Sequence, residues 1–280
     1  MPSVICAGLA TRDSIWRVPS HPDPDGRVVA TELLVAGGGP AATAAVTLSR
    51  LGVDVGFVGA VGDDDAGRYV LHGLAVEGVD VSMLTVVPGG RTPQSAILVD
   101  PDGHRAIIHH PGHVPSPKRE LEPEWLHVDH AGWDMSRGQS PGHISLDGGN
   151  PIEGLDLQGV ALYAPTEARL REDFGDAQGA IDAGAELVVV TRGAEGSVAT
   201  TRTGETVEVA GVPCQGFVST LGAGDVFHGA LLAYLVRGAS LHDALRAANT
   251  AASLSCRALD GRSAIPTLHE LQRELERSPT

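Results

Sequence analysis

The sequence contains few of the residues that build disulfide frameworks, aromatic stacking surfaces or basic patches. Its 280 residues include three cysteines, and aromatic side chains make up 4%. The scattered positions of Cys6, Cys214 and Cys256 exclude a disulfide framework and a C-x-x-C metal site. Lysine and arginine number 20 against 35 acidic residues, giving a formal charge of -15, and this charge argues against binding to nucleic acid or an anionic membrane.

Long apolar runs are also missing. No segment approaches the roughly 18 apolar residues of a membrane span, and the start, Met1–Val4, has no basic region leading into an apolar stretch. We therefore expect a cytoplasmic protein. A chain of 280 residues is long enough for one large α/β domain with an accessory piece. The negative charge does not exclude a small anionic substrate, because local arginines, backbone amides or a metal ion can hold one.

The chain does contain a glycine-rich element with one acid at the start of an apolar segment, Ser219–Ala230. Gly222 and Gly224 precede Asp225, and apolar residues follow at helical spacing. Backbone N–H groups at a helix N-terminus beside a carboxylate suit an anion next to a base. An ordinary glycine turn leading into a buried helix explains the same residues equally well, so the rest of the chain has to decide.

The order of apolar segments predicts a doubly wound α/β sheet. Ser3–Leu9 is typical of a buried first strand, and Glu186–Thr191 is the clearest later strand. Open α/β sheets place ligands at the carboxyl ends of their strands, where we expect Ala10–Asp13 to form a loop. Asp13 either binds a substrate hydroxyl there or caps a turn. We find no internal repeat and expect one domain over residues 1–280.

Extra β segments interrupt the predicted alternation of strands and helices and indicate a small second sheet. Val28–Val35 has strand character, and Gln94–Val99 with His104–His110 predicts a hairpin. Together they predict a β lid over about residues 14–36 and 92–111. Adjacent strand residues face opposite sides of a sheet. The nearby histidines are therefore interpreted as lid-surface residues or substrate contacts rather than as ligands of one metal ion. These histidines are His104, His109, His110 and His113.

A triple glycine, Gly37–Gly39, leads into a predicted helix that begins near Pro40 and is rich in small residues. It lacks the G-x-G-x-x-G spacing of a dinucleotide-binding fingerprint, and none follows the first predicted strand either. A dinucleotide-dependent oxidoreductase is therefore a less favoured alternative. The three aspartates Asp63–Asp65 are interpreted as helix caps rather than metal ligands.

Four motifs in order resemble the ribokinase/PfkB family of sugar kinases, and the resemblance runs from Val4 to Pro266. The motifs are GGGPA at 37–41, VGDDDAG at 61–67, TRGAEG at 191–196 and LGAGD at 221–225. Within the family, the runs GGGPAATAAV, GAGDVFHGAL and GR-x-x-IP look closest to sulfofructose kinases. The resemblance implies a three-layer α/β/α ribokinase-like (Rossmann-like) core and a β lid over the sugar site, a lid that often forms a homodimer contact.

The same resemblance implies transfer of a phosphoryl group from ATP to a hydroxyl of a sugar or sugar derivative. Asp225 is similar to the family's catalytic base, and the backbone amides of Gly222, Ala223 and Gly224 would form the anion hole. Magnesium would bridge the phosphates, with its protein ligands unknown. A potassium-type ion is also implied, under the loop 261–266.

Further residues match the family's binding positions. Those matched to the sugar site are Asp13, Arg27, Gly37, Gly38, Gly39 and His109. Those matched to the ATP site are Thr191, Gly193, Gly196, Gly222, Gly224 and Asn249. Arg27 would reach an anionic end group such as the sulfonate of 6-deoxy-6-sulfofructose, because a guanidinium suits a tetrahedral anion.

The chain departs from the family's pattern at three places. Ala42 stands where an asparagine is usual, and Thr166–Arg169 replaces the acidic N-x-x-E motif that helps organise magnesium. Ser219 replaces a common aspartate, which puts the potassium site in doubt. A nucleoside kinase of the same fold is the near alternative, but the lid strands have few aromatic side chains to stack on a base. A catalytically inactive sugar-binding regulator is less favoured, because Asp225 is retained.

Overall fold

The computed structural model describes residues 2–112, 121–136, 139 and 141–277. The strands are β1 Val4–Ala7, β2 Thr11–Arg17, β3 Glu32–Gly38, β4 Val55–Gly62, β5 Leu84–Val87, β6 Gln94–Val99, β7 Arg105–His110, β8 Trp125–Val128, β9 His143–Gly148, β10 Val160–Pro165, β11 Leu187–Thr191, β12 Gly196–Thr201 and β13 Thr206–Ala210. The helices are α1 Pro40–Arg50, α2 Asp65–Val76, α3 Trp133–Ser136, α4 Glu167–Asp173, α5 Ala177–Asp182, α6 Ala223–Val236, α7 Leu241–Ser255 and α8 Leu268–Arg277.

Nine of these strands form one sheet in the order β13-β12-β11-β10-β9-β8-β1-β4-β5. The strands from β11 to β5 run parallel, whereas β12 and β13 pair antiparallel at one edge. Apolar residues without polar alternation form the central strand β1, since both of its faces are covered. The predicted ribokinase-like α/β core is confirmed.

Helices cover both faces of the large sheet and give three layers. Val4 and Cys6 of β1 belong to one hydrophobic cluster, together with residues of α1, α6 and α7. Ile5 and Ala7 point the opposite way, into a second cluster with residues of α4 and α5. Helices α1 and α6 pack closely at Gly229, where the residue has no side chain. A Cβ at this position would lie only 2.7 Å from the Ala44 carbonyl oxygen. Among the described residues, no helix has the length and apolar character needed to cross a bilayer.

The small sheet has the order β3-β2-β6-β7 and corresponds to the predicted lid. Strand β2 pairs antiparallel with β3 and parallel with β6, and β6 and β7 form the hairpin expected from the sequence. Cross-strand partners such as Trp16 and Leu33 lie on the outer face. Asp13, Ser95 and His109 are partners on the inner face, so the lid presents polar groups towards the core.

The structure corrects two strand predictions. The strand predicted at Val28–Val35 begins only at Glu32 in the structure, and Val29 is 79% exposed. The loop predicted at Ala10–Asp13 is instead the start of strand β2. Its buried positions are Thr11, Asp13 and Ile15, so two of the three inward side chains are polar and no apolar alternation marks the strand.

Candidate active site

A cavity of about 280 Å³ lies between the small sheet and the large sheet. Asp13 and His109 line it from the lid, and Gly222 and Asp225 line it from the core. The glycines 37–39 also line it, at the junction between β3 and α1. The structure thus places sugar-binding and phosphoryl-transfer residues predicted from the sequence around one space, whereas Arg27, Ala223 and Gly224 do not line it.

Asp225 lies in the first turn of α6 because Gly222 ends the preceding loop in a left-handed conformation. The backbone of Gly222 has φ 74° and ψ -2°, which favours glycine. A Cβ at this position would lie 2.7 Å from the Cα of Gly261, so two backbone segments meet there without side chains between them. Helix α6 therefore starts with its amides uncovered and its first-turn carboxylate on the cavity wall.

The N-terminus of α6 offers N–H groups to an anion. The N–H of Val226 is the first to bond back within the helix, to the Gly222 carbonyl, so the three preceding amides are not used by the helix. The Ala223 N–H donates to the Thr220 carbonyl at 3.2 Å. The amides of Gly224 and Asp225 are the remaining first-turn donors, and the positive end of the helix dipole reinforces them.

Burial tunes Asp225 for proton transfer near neutral pH. Loss of hydration, followed by repulsion from Asp147, raises the pKa of Asp225 to about 7, while His228 and Arg262 oppose the rise. A carboxylate with this pKa is about half ionised at pH 7 and largely ionised above it, and it is still basic enough to take a proton from a hydroxyl in the transition state. These properties match the requirements of a general base.

A buried ion pair lies below Asp225 and was not found by sequence reasoning. His228 Nδ1 on α6 is 3.1 Å from Asp147 Oδ2 at the end of β9. Burial opposes ionisation of Asp147, but the charge of His228 holds the pKa of Asp147 at about 2. Burial likewise opposes protonation of His228, and Asp147 reverses this effect and raises its pKa. The one sequence signal was the spacing of His228, three residues after Asp225 on the same helix.

Asp13 faces the cavity as a constrained carboxylate. Thr11 Oγ1 donates to Asp13 Oδ1 at 2.7 Å, and a Cβ at Gly38 would lie 1.9 Å from Asp13 Oδ2. Gly38 is therefore required by the space that Asp13 occupies. Burial raises the pKa of Asp13, and Thr11 and Ser95 act against this rise. An oriented carboxylate next to open backbone suits a pair of sugar hydroxyls.

Two histidines add polar groups to the same cavity. His109 Nδ1 lies 3.3 Å from Ser95 Oγ, and burial lowers the pKa of His109. His130, which follows β8, was missed by sequence reasoning and also lines the cavity. Its Nδ1 is buried and has no hydrogen-bond partner among the described residues. His113 lies outside the described residues.

Of the residues matched to ATP, Gly222 lines this cavity, whereas Thr191, Gly193, Gly196 and Asn249 do not. Thr191 ends β11, and Gly196 begins β12 at φ 100°, where a Cβ would lie 2.2 Å from the Val209 carbonyl oxygen. At Gly193, where φ is 58°, an added Cβ would meet nothing within 4 Å, so this position stands open. The Asn249 amide donates to the Val209 and Ala210 carbonyls at 3.1 and 3.2 Å, so it holds α7 against β13.

Arg27 is not brought to the cavity. It lies in the loop before β3, is exposed and does not line the space around Asp13. Ala42, the expected replacement for an asparagine, is fully buried, whereas the neighbouring Thr43 lines the cavity. A polar side chain is thus present on α1 one residue from the expected position.

Among the described residues, the positions expected to help hold magnesium and potassium carry other groups or are already bonded. Arg169, in the acidic position of the N-x-x-E motif, pairs with Asp173 at 2.7 Å. Ser219 is buried and accepts the Leu221 N–H at 3.1 Å, so it supplies a neutral hydroxyl to the proposed potassium position. Asp260, in the nearby loop, is bonded to Ser263. Among the described residues, these groups do not fit the potassium site that the family resemblance implies.

A separate set of possible metal ligands lies at the lid hairpin, outside the cavity. Ligand atoms of Asp100, Asp102 and His104 fall within 4.8 Å of one another. Asp100 Oδ1 accepts the backbone N–H groups of both other residues, at 3.0 and 2.9 Å. This carboxylate therefore stabilises the turn, as expected for an aspartate at that position.

Comparison with known proteins agrees with this geometry. The model of the pfkB family carbohydrate kinases matches residues 1–131 and 166–268. The chain belongs to the pfkB family of carbohydrate kinases. Family membership makes it an ATP-dependent kinase of a sugar or nucleoside, which confirms the predicted enzyme class and replaces the oxidoreductase alternative.

Individual relatives cover nearly the whole kinase. An ATP-dependent ribose-1-phosphate kinase of Halopiger xanaduensis is 30% identical over 94% of this chain and 95% of its own. A fructokinase of Klebsiella pneumoniae is 31% identical over 91% of this chain and 95% of its own. The structure of a Burkholderia thailandensis nucleoside kinase in complex with inosine superposes with a TM-score of 0.84 at 20% identity, over 98% of this chain and 96% of that one, and shows the shared fold. Similarity to sulfofructose kinases stays a prediction.

Proposed function

We propose that the kinase phosphorylates a hydroxyl of a sugar or sugar derivative, with Asp225 as the general base. The observation that carries this proposal is the single cavity shared by Asp225, the first turn of α6 and Asp13. A substrate hydroxyl bound near Asp13 would lie in the same space as the base and the anion-binding amides. Proximity of this kind is the main requirement of phosphoryl transfer.

In the proposed reaction, Asp225 accepts the proton of the attacking hydroxyl. The substrate oxygen forms a bond to the γ-phosphorus of ATP while the bond to the bridging oxygen breaks, and ADP leaves with that electron pair. The amides of Gly224 and Asp225 stabilise negative charge on the transferred group, with Gly222 and Ala223 shaping the loop. Magnesium bound to ATP supplies charge neutralisation on the phosphates. Besides Gly222 and Gly224, the assigned nucleotide contacts are Thr191, Gly193, Gly196 and Asn249.

The character of the cavity favours a sugar over a nucleoside. Among the described residues, no Phe, Tyr or Trp lines it, whereas Thr11, Asp13, Ser95 and Asn150 do. Hydroxyl, amide and carboxylate groups match the hydrogen-bonding pattern of a sugar, and stacking on a base has no aromatic partner there. A nucleoside remains the second candidate because a nucleoside kinase shares the fold.

An anionic sugar, such as 6-deoxy-6-sulfofructose, is the finer form of the proposal. His109 and His130 lie in the cavity and can donate to an anionic end group, whereas Arg27 lies outside it. The histidines therefore support this form better than the arginine on which sequence reasoning relied.

An ATP-consumption screen over neutral ketoses, sugar phosphates, sulfosugars and nucleosides tests the proposal. We expect a sugar or sugar derivative to give a kcat/KM at least about tenfold above any nucleoside, because the polar cavity hydrogen-bonds its hydroxyls. Reactions without acceptor correct for hydrolysis. A nucleoside as best substrate would overturn the sugar assignment. If a neutral sugar is best and His130→Ala raises KM equally for neutral and anionic acceptors, the anionic form of the proposal fails.

We also propose that the lid pairs with the lid of a second copy. Its outer face carries Trp16, Leu33 and Ile108, and the last two are 52% and 72% exposed. These side chains share one face of the sheet. Trp16 is the cross-strand partner of Leu33, and the same row of partners continues through β6 to Ala106 of β7. Ile108 lies two residues after Ala106 and therefore on the same face. An apolar sheet face of this kind is typical of a contact surface, and the family resemblance implies a second copy as its occupant.

Light scattering after size-exclusion chromatography measures the oligomeric state. We expect the wild-type protein to be a dimer and Leu33→Glu to be a monomer, because a buried carboxylate in an apolar interface has no partner. Val76→Glu is the matched control, since Val76 is 66% exposed on α2, outside the lid sheet. A monomeric wild-type protein, or equal dissociation by both substitutions, would contradict the lid-mediated dimer.

A further inference from the structure

Arg262 is a buried arginine beside the cavity; it belongs to the GR-x-x-IP run, but neither the sequence analysis nor the proposed mechanism gives it a role. It lies in the loop between α7 and α8 and is 7% exposed. Its Nη2 donates to the Gly38 carbonyl at 2.6 Å, and its Nε donates to Thr43 Oγ1 at 3.2 Å. One guanidinium therefore joins the end of lid strand β3 to the start of helix α1.

Gly37 provides the space for this guanidinium. A Cβ at position 37 would lie 2.4 Å from Arg262 Nη1, closer than any side chain permits. Sequence reasoning assigned Gly37 to the sugar, but the side chain packed against it is that of Arg262. The first two glycines of the triple glycine thus make room for two charged groups, Arg262 at Gly37 and Asp13 at Gly38.

The backbone next to Arg262 is fixed to the opposite end of the cavity. Gly261 packs directly on Gly222, and a Cβ at Gly261 would lie 3.2 Å from the Gly222 Cα. Arg50 Nη1 donates to the Arg262 and Ile265 carbonyls at 3.0 and 2.8 Å and holds this loop from behind. The residue therefore has its backbone beside the start of α6 and its side chain on the sugar-binding segment.

We propose that Arg262 is a positioning residue that sets the distance between the sugar-binding segment at Gly38 and the phosphoryl-transfer centre at Gly222 and Asp225. This inference rests on the proposed function. Arg262 acts through the backbone of Gly38 and through Thr43, and it is not assigned a contact with substrate. Loss of the guanidinium removes a link between these two halves of the site, which are also held together by the packing of α6 on α1 at Gly229 and Ala44.

The charge of Arg262 also bears on both carboxylates of the cavity. Burial lowers the pKa of Arg262 to about 10, and Asp13 and Asp225 favour its charged form. The charged groups that act on Asp225 are Asp147 on β9, Asp129 after β8, His228 on α6 and Arg262. Because Arg262 lowers the pKa of Asp225, its removal raises that pKa and moves the acid limb of the kcat profile to higher pH.

Steady-state kinetics of Arg262→Gln and Arg262→Lys test this role with the sugar found by the substrate screen. We expect Arg262→Gln to lower kcat/KM for the sugar by about 100-fold, because small displacements of reacting groups have effects of this size. The KM for ATP should stay within about twofold, since Thr191, Gly193, Gly196 and Asn249 do not line the cavity and Arg262 makes no side-chain bond to Gly222 or Gly224. The acid limb of kcat should move to higher pH in Arg262→Gln and return towards the wild-type position in Arg262→Lys, which keeps the charge.

Arg237→Gln is the matched control. Arg237 also joins α6 to α1, donating to the Ala233 and Leu51 carbonyls at the far ends of both helices. We expect it to lower the melting temperature as much as Arg262→Gln does while leaving the kinetics and the pH profile unchanged. If Arg262→Gln changes only the melting temperature, its role is structural and the inference fails. If the wild-type enzyme phosphorylates no sugar, the proposed function fails instead.

Discussion

Asp225→Asn lowers kcat by about 10²- to 10⁴-fold if Asp225 is the base of this kinase, the range that positioned proton transfer contributes. Asparagine keeps the shape of the side chain but cannot accept the hydroxyl proton. The nucleotide contacts assigned at Thr191 and Asn249 are untouched, so ATP should bind with wild-type affinity. A coupled ADP assay measures turnover, and calorimetry measures ATP binding.

The pH profile separates loss of the base from general damage. The pKa of Asp225 is raised to about 7, so the ionised, active form is depleted as pH falls through that value. Wild-type kcat should therefore rise with pH through about 7, and the residual activity of Asp225→Asn should not. Asp243→Asn on α7, an exposed position whose acid accepts from Ser240, is the control for loss of one charge. Wild-type turnover in Asp225→Asn would remove Asp225 from its role.

The core architecture was predictable because apolar periodicity reports burial. Buried segments such as β1 and β11 are apolar on both faces, and helices α1 and α6 begin at proline or glycine signals. Strand β2 was not predictable, since two of its three inward side chains, Thr11 and Asp13, line the cavity and are polar. Because residues that line the cavity have to be polar, this strand lacks the apolar alternation by which strands are predicted from a sequence.

The site was predictable where one short motif contains both the glycines that shape the loop and the carboxylate that reacts. Gly222 and Asp225 are three residues apart, so their proximity follows from the chain itself. Arg262 acts on Gly38, 224 positions away, and Asp147 pairs with His228, 81 positions away; only the folded chain brings such groups together. Arg27 is the opposite kind of error. It was assigned to the sugar site from its position in the sequence and its suitability for an anion, but it lies outside the cavity.

The backbone at Gly222 gives the second large effect. Gly222→Ala introduces a Cβ 2.7 Å from the Gly261 Cα and requires alanine at φ 74°, so the loop must move away from α6. We expect kcat to fall by about 10²- to 10³-fold, as in the loss of one oxyanion-hole donor, because the first-turn amides no longer face the transferred phosphoryl group. The free energy of unfolding should also fall, by about 1–2 kcal/mol from backbone strain alone.

Gly238→Ala distinguishes these two effects on the same helix. Gly238 follows the C-terminus of α6 with the same φ of 74°, and an added Cβ meets nothing within 4 Å. Both substitutions therefore carry the same backbone strain, but only Gly222→Ala carries the clash beside the anion-binding amides. Chemical denaturation should show a comparable strain cost in both variants, with kcat reduced only in Gly222→Ala. Equal kcat values in the two variants would mean that the close approach of Gly222 to Gly261 does not position the phosphoryl-transfer centre.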